Sequence, residues 1–245
     1  MKMKIRSILA VILALFFVKE SSAQAPGFYF GPRLAAGSCQ LTGGAGFTTG
    51  VTLQVGVSAN KQLTENLGVL FSPHVGMYNA QRLSGEGDGM NPNGSRKILV
   101  YRDKYNIYSV EFPLMAKLGV GFGHAHFSLY AGPSLGYIIG GTRSKKYDDP
   151  NENAERGYSG HSMDDLTRGM YSGVAGASAE LKTPRGIVMI DFRVQQNFSP
   201  LGRLEGVYFS AGTRSVGIAW MFDATVQPKG PNTSSTMNYK RGSTY

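Results

Sequence analysis

The stretch from Tyr105 to Gly119 most constrains what this chain can fold into. Read at period two, Tyr108, Val110, Phe112, Leu114, Ala116 and Leu118 fall on one side. Ser109, Glu111, Pro113, Met115 and Lys117 fall on the other. Successive strand side chains alternate sides, so this is a β-strand with one apolar and one mixed face. It is also long. A strand that crosses a bilayer needs about 9–11 residues, whereas a globular strand usually has about 5–6.

The chain has 245 residues, and the first 23 are set apart. Lys2, Lys4 and Arg6 precede the apolar run Ile8 to Val18, and Ser21-Ser22-Ala23 offers small residues for cleavage. This is the pattern of a secretory signal peptide over residues 1–23. The formal charge of +9 falls to +6 once the net +3 of Lys2, Lys4, Arg6, Lys19 and Glu20 is removed. A moderately basic exported protein can meet anionic lipid heads. The chain has no compact basic-aromatic cluster, so nucleic acid is not an expected partner. The single cysteine, Cys39, excludes an internal disulfide. Glycine, at 33 residues, is nearly twice its ordinary share of about 7% and is spread through alternating segments. That distribution argues for all-β structure rather than a linker.

Eight strands are expected: Phe28–Ala36, Thr49–Ala59, Asn66–Tyr78, the Tyr105–Gly119 stretch, His126–Gly140, Met170–Lys182, Ile187–Phe198 and Tyr208–Phe222. The links after the second, fourth and sixth are short. Those after the first, third, fifth and seventh are longer, and two of them, Asn79–Lys104 and Gly141–Gly169, are polar and glycine-rich. Short turns on one rim and long loops on the other are the habit of an outer-membrane barrel.

The mixed face carries mostly Gly, Ser, Ala and Thr with a few charges. Small groups suit the interior of a narrow barrel, and the Phe, Leu, Val and Tyr of the other face suit lipid. The expected fold is therefore all-β, an eight-stranded antiparallel up-and-down transmembrane β-barrel over residues 24–222. A disordered periplasmic tail over residues 223–245 follows. Both termini then lie in the periplasm of a Gram-negative bacterium. Arg33, Glu111, Lys117, Glu180, Asp191 and Arg193 share the inward parity. At the bilayer midplane an outward Arg or Lys would cost roughly 2–4 kcal/mol. Inside, opposite charges can pair, so these six are expected to form a lumen charge network.

Tyr108-Ser109-Val110-Glu111-Phe112-Pro113-Leu114-Met115-Ala116-Lys117 and Tyr130-Ala131-Gly132-Pro133-Ser134-Leu135-Gly136-Tyr137 resemble strands of the PorT-like outer-membrane β-barrel proteins of Gram-negative bacteria. The ending Val216–Phe222 is similar to that family's closing strand. The resemblance implies an eight-stranded barrel related by fold to an accessory of the type IX secretion and gliding machinery. It also implies assembly through recognition of the terminal strand by the barrel-assembly machinery.

Other constellations carry no chemistry. His161, Ser162, Asp164 and Asp165 match no triad spacing. Asp148, Asp149, Asn151, Glu152 and Asp164 lack a regular calcium loop. His124 and His126 are too few for a metal site. No cofactor and no catalytic residue is expected. The expected role is that of a non-enzymatic structural or interaction protein, possessing a plugged lumen and meeting outer-membrane lipid. A protein partner would engage the outer loops or the periplasmic tail. A small channel and a lipid-active enzyme are the alternatives.

Overall fold

In the computed structural model, residues 27–43, 47–90, 96–148, 151, 154, 156–163, 165–204 and 207–224 are described. The expected signal peptide, residues 1–23, and all but the first two residues of the expected tail, 223–245, lie outside them. The chain forms β1 (Gly27–Thr42), β2 (Phe47–Thr48), β3 (Gly50–Gln62), β4 (Leu67–Phe71), β5 (His74–Met90) and β6 (Arg96–Phe122). It continues as β7 (Ala125–Tyr147), β8 (Tyr158–Ser162), β9 (Gly169–Thr183), β10 (Gly186–Asn197), β11 (Gly202–Leu204) and β12 (Val207–Asp223).

All pairings are antiparallel. β1 lies between β12 and β3, and β10 between β12 and β9. β7 lies between β9 and β6. β3 reaches β6 through two shorter pieces, β4 and β5.

The expectation of eight uninterrupted up-and-down strands is corrected. Among the described residues there are twelve strand segments, eleven along one hydrogen-bonded path and β11 off it, and the sheet does not close evenly. Three physical causes are visible. Pro73 has no N–H to give to a ladder, and the expected third strand splits beside it into β4 and β5. Short extra segments, β2, β8 and β11, form within the long connections. Finally, much of what read as loop is strand. β5 runs to Met90, β6 starts at Arg96 and β7 runs to Tyr147. Charged and glycine residues there read as loop because they break the apolar alternation. Beyond the lipid, both faces of a strand can carry polar groups, so that signal disappears while the ladder continues.

The faces are strictly sorted. Phe112, Leu114, Val194 and Ile218 are 41–53% exposed, whereas Glu111 and Arg193 are fully buried. The greasy half of each pleat looks outward and the ionised half is enclosed. The alternation survives the break at Pro73, with Phe71 and Val75 outward and Ser72 and His74 inward. Gly123 (φ 60°) makes the turn between β6 and β7, and Gly186 (φ 143°) follows the one between β9 and β10. Left-handed backbone of this kind favours glycine. Gly27 pairs with Gln62, and Tyr29 with Asp223, so both described ends lie on the short-turn rim.

Candidate functional site

The enclosed side chains fall into layers. Near the short-turn rim, Lys117 of β6 meets Glu180 of β9, with Nζ 2.6 Å from Oε1 and 2.8 Å from Oε2. His126 Nδ1 is 3.7 Å from Glu180 Oε2. Tyr29, Ile187, Met189, Ala219 and Met221 form an apolar cluster within the same wall.

Next comes Asp191 of β10. Arg33 of β1 grips it with two bonds, Nε to Oδ1 at 3.2 Å and Nη2 to Oδ2 at 3.0 Å. The third arm of Arg33 donates to Gln54 Oε1 at 3.1 Å. The Tyr130 hydroxyl donates to Asp191 Oδ2 at 2.7 Å. Arg193 Nη2 stands 3.4 Å from the same oxygen, with its guanidinium carbon 5.6 Å from the centre of the Tyr130 ring. Glycine makes this crowding feasible. A Cβ on Gly217 would come within 2.4 Å of Asp191 Oδ1 and 2.7 Å of Arg33 Nη2.

Glu111 is served differently. It accepts hydrogen bonds from the Tyr78 hydroxyl, from Gln195 Nε2 and, at 2.8 Å, from Ser109 Oγ. His74 Nε2 lies 3.9 Å away. The carboxylate is therefore held by side-chain donors rather than by a lysine or arginine fork.

The six residues expected from parity are all buried, and they sort into three groups rather than one. Arg33, Asp191 and Arg193 come together, Lys117 and Glu180 pair separately, and Glu111 stands with Tyr78, Ser109 and Gln195. Sequence reasoning missed Tyr130 and Tyr78 as network members. Tyr130 shares the inward parity of Ser128 and Gly132, but an aromatic there reads as lipid-facing. Its ring sits over Gly176, whose added Cβ would lie 2.5 Å from the phenol.

Above the charged layers, an apolar cluster lies at the other end. Cys39, Leu41, Tyr78, Ala80, Tyr105, Ile107, Ile138 and Phe209 come from the wall, while Leu166 and Leu201 enter from the long connections. An isolated bridge, Leu166 to Gly202, holds that lid together. Cys39 lies beyond the outward apolar run of β1, which ends at Ala36. Burial, followed by the nearby Glu111 charge, pushes its thiol up to about 12. Further out, Arg143 donates to both oxygens of Asp103, at 3.2 and 2.7 Å. Burial pulls that guanidinium down, but its bonds to Asp103 and the surrounding phenols and carboxylate leave it raised.

His161 and Ser162 are exposed on β8, and Asp164 lies outside the described residues, as do Asp149 and Glu152. Among the described residues, no group of three or more His, Cys, Asp or Glu side chains could hold a metal ion.

A sequence profile described as an outer membrane protein beta-barrel domain matches residues 43–202. The chain belongs to that family. This outer-membrane β-barrel protein of a Gram-negative bacterium crosses its membrane with strands. The narrower PorT-like reading is corrected, because the match is to the general barrel domain and the sheet is an uneven one of twelve segments. No curated protein matches the chain. Among solved structures, it is similar to Neisserial surface protein A at 14% identity, covering 81% of this chain and 98% of that one, with a TM-score of 0.40. It is similar to Ail, the attachment invasion locus protein of Yersinia pestis, at 13% identity, covering 80% and 99%, with a TM-score of 0.36. The N-terminal beta-barrel domain of Pseudomonas aeruginosa OprF follows at 14% identity, covering 77% and 97%, with a TM-score of 0.31.

Proposed function

We propose that this outer-membrane β-barrel protein is a non-enzymatic interaction protein whose lumen is plugged, with its short turns and both termini in the periplasm and its strand extensions outside the cell. The observation that carries this reading is the filling of the interior. Three groups of buried, partnered charges span it, and an apolar cluster with two residues from the long connections lies across one end. A route for ions or solutes would have to pass the desolvated Arg33 and Arg193, both held on Asp191, and the desolvated Glu111, held by Tyr78, Ser109 and Gln195. The secretion-accessory role implied by the PorT resemblance is not carried forward.

What supports the orientation is the parity of the connections. Short turns of two to four residues lie on the rim where both described ends meet, and barrels of this class keep such turns in the periplasm. In this arrangement the lumen network fixes the wall, and the extended β5, β6 and β7 present a surface to the exterior.

Two measurements test the reading. Purified protein in planar bilayers should give no stable conductance steps; reproducible ion currents would make it a channel and overturn the plug. An epitope placed in the β7–β8 connection should be accessible on intact cells, and one placed between Pro184 and Arg185 should not. The reverse accessibility would overturn the orientation while leaving the plug intact.

A further inference from the structure

Where β5, β6 and β7 leave the apolar band, their outward side chains form three successive rows set by strand register. The last row in lipid holds Met77 and Tyr108, which are directly paired. Next comes Asn79, Asn106 and Thr142, then Gln81, Lys104 and Ser144, then Leu83, Arg102 and Lys146. Each trio lies side by side across the three strands. Asn79 Nδ2 donates to Asn106 Oδ1, which ties the first polar row together.

The outermost row places Arg102 directly opposite Lys146. Like charges facing each other on one side of an antiparallel pair are destabilising. Lys104 stands one step below them on the same side. Arg102 has one exposed carboxylate, Asp148 Oδ1, at 3.6 Å. Lys104 and Lys146 have no ion-pair partner among the described residues. The neighbouring cations on the opposite side of the sheet are otherwise engaged, Arg143 with Asp103 and Lys145 over the Tyr101 ring at 3.8 Å. Among the described residues the three outward cations therefore share a single carboxylate, and they are held at a fixed height above hydrocarbon and bordered by amides and hydroxyls.

We infer that this face binds the headgroup of a phosphorylated glycolipid of the outer leaflet. The order of the rows matches the order of groups in such a lipid: acyl chains against Met77 and Tyr108, sugar hydroxyls and amides against the Asn79 and Gln81 rows, phosphates against Lys104, Arg102 and Lys146. Charge-assisted bonds to phosphate oxygens are roughly twice as strong as neutral ones, and basic clusters at the membrane interface recognise anionic heads. This inference rests on the orientation proposed above, since it needs this rim to face the outer leaflet.

The test compares three proteins in nanodiscs: the full chain, an Arg102→Gln/Lys104→Gln/Lys146→Gln variant, and a Lys61→Gln/Lys182→Gln/Arg185→Gln variant at the short-turn rim. Retention of lipid A is read by native mass spectrometry after detergent release, with bis-dephosphorylated lipid A and phosphatidylglycerol as competitors. The full chain and the short-turn variant should retain lipid A alike. The first variant should lose at least tenfold, and the dephosphorylated lipid should bind even the full chain that weakly. Equal retention by the first variant, or phosphatidylglycerol held as well as lipid A, overturns the inference. Loss confined to the short-turn variant overturns it too, and traces the fault to the orientation. Heat-modified gel mobility, unchanged in both variants, shows that the barrels are folded.

Discussion

Asp191 sits between two guanidinium groups and a phenol, and it is the most committed acid in the interior. Removing one member of a buried ion pair typically costs about 3–5 kcal/mol, because the partner remains charged and desolvated. Asp191→Asn strands both Arg33 and Arg193. The loss of compact gel mobility on heating should then occur at a clearly lower temperature than in the wild type, and Arg33→Met combined with Asp191→Leu should recover part of it. An unchanged transition in Asp191→Asn would mean that the pair holds nothing together. Gly217 gives an independent reading of the same spot. Its missing methyl group leaves the room that Asp191 and Arg33 occupy. Gly217→Ala should destabilise by about 1–3 kcal/mol, the usual cost of overpacking. That cost should shrink towards zero in an Arg33→Ala/Asp191→Ala background, where the methyl meets no side chain from the pair. A double-mutant cycle in urea measures the difference.

At the scale of elements, the wall depends on β1 meeting β12, two strands at opposite ends of the described chain. Ser38 and Arg214 are directly opposite in that seam, and neither is fully buried. Residues opposite each other in antiparallel strands have Cα atoms about 4.5–5.5 Å apart, within the range a disulfide accepts. Ser38→Cys with Arg214→Cys, in a Cys39→Ser background, should cross-link under mild oxidation and survive boiling as a faster-running band. Shifting one cysteine to Thr213 points it inward and should abolish the link. The same seam explains what the sequence could disclose. The side of each strand that carries Arg33 or Asp191 is a local property, readable from alternation. That these two meet is not local. Arg33 lies diagonally across β12 from Asp191, with Ala219 and Gly217 as their respective opposite residues, so the contact depends on the stagger of three strands. Alternation fixes a side and not a height, and that is why six residues read as one network resolve into three groups. Tyr130 was hidden for a related reason, because the space it fills is supplied by Gly176 on another strand. The ends of strands were also illegible, since outside the lipid no apolar face marks where β5, β6 and β7 continue.

Taken whole, the molecule fills the two ends of its interior with different chemistries: the Lys117–Glu180 pair towards the short-turn rim and the apolar cluster towards the other. If the lumen is plugged as proposed, Leu166 and Leu201, which drop into the cluster from the long connections, are the residues that would exclude water from that end. Cys39 reports on that end, because it is the chain's single cysteine and is fully buried in the cluster. A thiol at about 12 is almost entirely protonated at pH 8, roughly one part in ten thousand as thiolate, against about a quarter for an ordinary thiol near 8.5. Only the thiolate attacks a maleimide. Folded protein in detergent should therefore label at least a hundredfold more slowly than urea-unfolded protein. The rate should rise about tenfold per pH unit between pH 8 and 11, because the raised thiol keeps its proton throughout that window. Leu166→Asn puts a neutral polar group into the cluster and should let water in, lowering the thiol's pKa and speeding labelling at pH 8 while the wall pairing stays intact by gel mobility. Wild-type labelling at the unfolded rate would mean that the end away from the short turns is open, and the proposed plug would have to be abandoned. Labelling that stays slow in Leu166→Asn would instead place the seal in the wall residues Tyr105, Ile107 and Ile138, with the long connections contributing nothing to it.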